Sequence, residues 1–250
     1  MTRLPAAIAE RAASLLALLG AWEGAAWFAH SRLFPGPGTV LATLADETIN
    51  GDLLYHLGAT LARVAVAFAL AMTIGSAIGI AMARSRALDA LLDSWVVLFL
   101  NLPALVLAVL LYVWLGLTEA AAIGAVTLSK LPTVVVTLRE GARALDADLA
   151  AMAKSFRLSA WRTLRHVTLP QLSPFFVIAS RTGLALIWKI VLVVELLGRP
   201  DGIGYAIQMF FQLFDIKRLI AYSLAFVAVV LAIEWGILQP FERRLARWRR

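Results

Sequence analysis

Cysteine is absent from the 250 residues. Disulfides, thiolate metal sites and cysteine nucleophiles are excluded with it, and the compartment cannot be read from redox usage. Histidine is scarce: His30, His56 and His166 fall on different segments, too scattered for a metal site, which needs several converging ligands. No G-x-x-x-x-G-K-[ST] loop, H-E-x-x-H pair or G-x-S-x-G elbow occurs. No cofactor and no metal is expected, and if the chain moves something uphill its energy comes from an ion gradient or a partner.

Charge is sparse as well, at 16% of residues against 61% hydrophobic ones. A soluble domain has roughly 45–50% apolar residues. Residues 64–83 and 94–118 carry no charge at all, and each run reaches the length of about 20 residues that spans a bilayer core. These features describe an all-α, polytopic membrane protein with no separate soluble domain. The net charge of +7 could suggest nucleic acid, but the basic residues stand at the ends of apolar runs, where they orient a chain in lipid. No nucleic-acid partner is expected.

Six spans are expected within a single domain covering 1–250: about 12–29, 57–83, 95–117, 119–138, 174–197 and 219–239. The first lacks a following cleavage region and reads as retained. Gly75 and Gly79 form a small-xxx-small pair that suits helix packing, within one chain or between two. Arg84, Arg86, Asp89 and Asp93 read as a short loop, and Pro103 as a kink in span three. Thr39 reads as the cap of a short amphipathic helix ending near Asn50, and 206–217 as a surface helix. Pro240 is expected to stop span six, ahead of a tail with five arginines. Of the 23 Lys and Arg residues, 15 fall on the face holding both termini, the 84–94 segment and the 139–170 stretch. Four fall on the other face, and Arg63, Lys130, Arg181 and Lys189 lie within spans. The positive-inside rule then puts both termini and the 139–173 segment in the cytoplasm.

That segment is the one long polar interruption. Asp146 is placed to cap a helix with Asp148 in its first turn. Leu149, Met152 and Phe156 recur at helical spacing. After a break at Arg157–Leu158, Ser159 can cap a second short helix carrying Trp161 and Leu164, which Leu169-Pro170 would end. Two short amphipathic helices at an angle form a surface suited to another protein.

Several short patterns then occur in order. They are Phe34-Pro35-x-Pro37-x-x-Val40-Leu41, Leu61-x-Arg63-Val64 with Phe68, Leu102-Pro103 and Trp114-Leu115-Gly116. Leu169-Pro170, Trp188 with Glu195, and Gly202-Ile203-Gly204-Tyr205 follow. With the six spans and the cytoplasmic stretch, the chain resembles the membrane subunit of a type I ABC importer of MetI-like fold. Within that superfamily it resembles the nitrate, sulfonate, taurine and bicarbonate permeases. The resemblance implies a bacterial inner-membrane protein acting as a pair of copies. It also implies two ABC ATPase subunits, which bind the ATP, and a periplasmic solute-binding protein delivering a small anionic solute. The chain itself would be no enzyme, and membrane lipid would surround it. A self-sufficient ion-coupled carrier is the alternative.

In this resemblance the ATPase-coupling residues are Ala151, Met152, Ala153, Lys154, Ser155, Phe156, Arg157 and Leu158. The sequence departs from the family here: Ala151-Met152-Ala153 stands where Glu-Ala-Ala is usual, and Arg157 where the turn glycine is usual. The expected translocation-pathway residues are Lys189, Glu195, Lys130 and Arg181. Lys189 is favoured because Glu195, six residues on, lies on another face and has Arg199 at i+4 as its expected partner. An intramembrane charge costs about 2.5–3.5 kcal/mol on insertion scales, so each faces protein or water.

Overall fold

A computed structural model describes residues 3–240. Among them the elements are helical: α1 (Arg3–Ala29), α2 (Pro37–Ile49), α3 (Leu53–Arg84), α4 (Arg86–Asn101), α5 (Ala104–Leu115), α6 (Glu119–Arg143), α7 (Ala147–Ser155), α8 (Ala160–Thr163), α9 (Leu169–Gly198), α10 (Ile203–Gln212) and α11 (Ile216–Ile233). Among the described residues four helices are long and apolar enough to cross a membrane: α3, α6, the continuous 160–198 helix and 216–236. The bent pair α4–α5 adds a fifth, and the apolar part of α1, Ala13–Ala29, is shorter.

α3 and α6 run side by side in the same direction. Arg63 meets Glu119 near one end, Gly75 faces Val134, and Gly79 faces the Val135 carbonyl and Leu138. The glycine pair thus packs inside one chain, the first of the two uses open to it. α9 returns antiparallel between them, with Phe175 at Gly141, Gly183 at Lys130 and Glu195 at the Arg63 end. Around this triplet Trp188, Ile187, Val191, Ile203, Tyr222 and Phe226 close the main core.

Several boundaries differ from expectation, each for a local reason. The 84–94 loop contracts to Ser85, which ends α3 and caps α4 by accepting from the Leu88 amide at 3.3 Å. Arg86 to Asp93 is helical, with Asp89 and Asp93 paired to Arg139 and Asp89 also to Arg143. Pro103 does more than kink one span. Leu102 and Pro103 are both extended, and α4 and α5 diverge by 101°, because proline lacks the amide and restrains the residue before it. α2 starts at Pro37 with Gly36 as its cap, so Thr39 lies inside it; proline is at home in a first turn, where the amide has no helical partner. The 206–217 surface helix is instead α10, with Ile203, Gly204, Ala206 and Phe210 buried.

Leu169-Pro170 does not end a helix. α8 passes through a π-helical turn at Leu164–Thr168 straight into α9, with Pro170 in the first turn of α9. A proline ring collides with the carbonyl four residues earlier, and a wider turn just ahead relieves that crowding. The same device recurs at Glu234–Leu238, directly before Gln239 and Pro240. Residues 139–143 complete α6 and 169–173 begin α9, so the expected 139–173 loop narrows to the link between them. The tail beyond Pro240, and with it the expected stop there, lies outside the described residues.

Candidate functional site

The link between α6 and α9 is ordered by its own polar residues. The Asp146 carboxylate accepts from the amides of Asp148 at 2.8 Å and Leu149 at 3.4 Å, capping α7. The Asp146 amide donates to Gln171 Oε1 at 2.9 Å, and Gln171 Nε2 donates to the Val167 carbonyl. The start of α7 is thereby fastened to the start of α9. α7 ends in a paired turn: the Leu158 amide reaches the Ala153 carbonyl at 3.0 Å, and the Arg157 amide the Lys154 carbonyl at 3.0 Å. This is the Schellman arrangement, which places its next-to-last residue in the left-handed region where glycine is favoured. Arg157 occupies it with φ of +50°. The turn is therefore formed without a glycine. Ser159 then caps α8, accepting from the Arg162 amide at 3.4 Å.

The result is a short platform with a buried and an outward side. Ala153 and Val167 are buried, and Leu158 is half-buried. Ala151, Met152, Lys154, Ser155, Phe156 and Arg157 face outward. Phe156 is 74% exposed and Trp161 66% exposed, two large rings turned mostly outward.

At the opposite end of the bundle lies a buried charge cluster. The five N–H groups of the Arg63 guanidinium all have acceptors. Nε and Nη2 reach the two oxygens of Glu119 at 2.6 and 3.0 Å. Nη1 reaches Glu195 Oε1 at 2.8 Å and the Asp201 carbonyl at 3.0 Å, and Nη2 also binds the Asp201 carboxylate. Glu195, fully buried, accepts from Thr60 and from the Gly204 amide, both at 2.9 Å on Oε2. The Ile203 amide donates to Thr60 Oγ1, and the Gly202 amide to His56 Nδ1. Gly202 has φ of +104°, and a side chain there would run into the Glu195 carboxylate. Arg199 turns away from its i+4 neighbour and pairs with Glu119 at 2.8 Å. The expected Glu195–Arg199 pair is therefore replaced by Glu195–Arg63, because the guanidinium already sits in the cavity where the carboxylate is buried. Burial alone would raise the Asp201 carboxyl. The hydrogen bond and charge of Arg63, with help from Arg199 and Tyr55, outweigh it and hold Asp201 below its ordinary value.

The four expected pathway residues are not gathered at one point. Lys189 is exposed and lines a groove of about 370 Å³ between α9 and α11, with Arg181 and Glu234 in the same wall and Trp188 and Phe226 on its apolar side. Lys130 is enclosed between α6 and α9, and Glu195 belongs to the Arg63 cluster. Sequence reading placed Arg63 in a span without assigning it a partner. Its signal was present in Leu61-x-Arg63-Val64 and Gly202-Ile203-Gly204, which the fold brings together.

The family described as the binding-protein-dependent transport system inner membrane component matches residues 71–238. The chain belongs to this family. It is similar to the putative aliphatic sulfonates transport permease protein SsuC of Bacillus subtilis, 26% identical over 93% of this chain and 84% of the relative. It is also similar to the taurine transport system permease protein TauC of Escherichia coli, 28% identical over 91% and 84%. The bicarbonate transport system permease protein CmpB of Synechococcus elongatus is 26% identical over 94% and 87%. The fold matches an inward-facing conformation of the MetNI methionine ABC transporter, with a TM-score of 0.67 at 18% identity over 80% of this chain and 98% of that one. The protein is thus a multi-pass inner-membrane permease of the ABC-importer class, and the self-sufficient carrier is set aside.

Proposed function

We propose that this permease imports a small solute bearing an anionic group, of the sulfonate, taurine, nitrate or bicarbonate kind, as a pair of copies driven by two separate ATPase subunits. The observation that carries the coupling half of this reading is Phe156. It is a large ring, 74% exposed, at the end of a helix fixed at both ends by caps. Such a rigid aromatic on a polar segment acts as an anchor when a partner groove covers it. Met152, one turn before Phe156 and also exposed, widens the same patch. The ATPases would bind and hydrolyse ATP, and this chain would convert their closure into motion of α6 and α9, the two helices that the platform joins. Both termini and the platform lie in the cytoplasm on this reading. The Arg63 end meets a periplasmic solute-binding protein, and lipid surrounds the spans.

Lys189 supports the substrate half. It stands on the wall of the α9–α11 groove with Arg181, and an exposed cation on an apolar span lowers the barrier for a passing anion. Glu195 is committed to Arg63, so it shapes the outer end rather than touching the solute. Reconstitution with the ATPase and binding protein, followed by uptake of labelled taurine, an alkanesulfonate, nitrate and bicarbonate, tests both halves. Uptake that persists without the ATPase would defeat the first, and uptake of only cationic or neutral solutes the second.

A further inference from the structure

Two polar side chains on α6 lack a partner among the described residues. Lys130 Nζ and Thr127 Oγ1 are both buried, and neither has a hydrogen-bonding group among the described residues. Three residues apart on one helix, they share a face one turn apart. Helical side chains lean toward the N-terminus, which carries the lysine stem back toward the turn of Thr127. The opposing wall is α9 at Gly183. A Cβ there would stand 2.6 Å from Lys130 Cε and 3.4 Å from Nζ, so the far end of the lysine packs directly against the Gly183 backbone.

Lys130 is 1% exposed, which keeps groups outside the bundle from reaching it. The ammonium cannot snorkel to lipid headgroups, and a second copy docking from outside cannot touch it. Glu119 and Glu195 are engaged by Arg63. An ammonium only donates hydrogen bonds, and a hydroxyl is able to. Two donors with one net positive charge on a closed face match an acceptor that carries negative charge. Water would accept from the lysine but leave the charge uncompensated in a low-dielectric site. Close packing of Lys130 on Gly183 favours a compact ion over a solute with an organic chain.

We infer that Lys130 and Thr127 hold a resident monovalent anion of chloride size between α6 and α9 inside each subunit. The ion is a structural ligand, distinct from the transported solute, and the inference does not depend on which solute that is.

The test uses the purified full chain in lipid nanodiscs, with sodium chloride exchanged for sodium gluconate at constant ionic strength. The melting midpoint should stand about 2–4 °C higher once chloride reaches about four times its dissociation constant. Bromide should replace chloride. Lys130→Met should abolish the dependence, Thr127→Val should weaken it and Thr127→Ser should retain it. Equal midpoints in chloride and gluconate overturn the inference. So does an undiminished chloride effect in Lys130→Met or, should that variant not fold, in Thr127→Val. If taurine or nitrate alone reproduces the shift, and chloride competes with uptake, the site belongs to the cargo and the resident assignment fails.

Discussion

Arg63 Nη1 and Glu195 Oε1 lie 2.8 Å apart although 132 residues separate them in the chain. The pair joins α3 to α9, and Glu119, Asp201 and Thr60 complete its hydrogen bonding. Removing one partner of a buried pair strands the other, at a cost of about 3–5 kcal/mol. Glu195→Ala should therefore collapse expression and lower the melting midpoint, and Glu195→Gln should do so less. A stable Glu195→Ala protein that fails only in transport would return Glu195 to the pathway.

Asp201 gives the same cluster a pH signature. Its carboxyl titrates below the unfolded value, so its contribution is present above that value and lost as pH falls through the folded one. Stability of the wild type should decline on acidification below the ordinary carboxylate range. Asp201→Asn should show a lower midpoint at neutral pH and a shallower acid decline. Parallel curves for the two proteins would remove Asp201 from the account.

Phe156→Ala should leave the midpoint of the isolated permease nearly unchanged, since the ring is 74% exposed. Affinity for the ATPase should drop by about 2 kcal/mol or more. Equal co-purification and equal solute-stimulated hydrolysis would show that the ring is idle.

Arg157→Gly should retain transport and raise the stability of the platform by up to about 1 kcal/mol, because glycine adopts positive φ without a steric penalty. Arg157→Val should do the reverse, since a branched side chain tolerates that region poorly. Hydrogen exchange at the Leu158 amide, which closes the turn, reads both.

Lys189→Gln should cut uptake strongly while preserving assembly and basal ATP hydrolysis. Loss of assembly would mark a structural role. Orientation is checked in the cysteine-free background with Lys154→Cys and Gln212→Cys, both at exposed positions. Asp201 is a poor labelling site because it binds Arg63. External reagent should reach 212 and spare 154.

The platform was legible in sequence because its determinants are local. Asp146 and Ser159 act on amides two or three residues away, and the apolar stripe lies within one helix. Even the missing glycine pointed to the turn that Arg157 now occupies. The Arg63 cluster was not legible as a unit. Its members are drawn from positions 56, 132 and 138 residues away, and only packing brings them together. Local reasoning also overreached at Leu169-Pro170, where a π-helical turn accommodates the proline. At Ser85, one side chain replaced an entire expected loop.

The π-helical turn at Leu164–Thr168 makes α8 and α9 a single shaft with a fixed phase. An α-helical residue advances about 100° and 1.5 Å, and a π turn holds about one residue more than an α turn, so Leu164–Thr168 absorbs an extra residue while Trp161 and Lys189 keep nearly the phase of an unbroken helix. Removing one residue there would return the turn to plain α geometry and bring the Pro170 ring back against the carbonyl four residues earlier, so the length of that one turn sets the strain in the shaft rather than its facing.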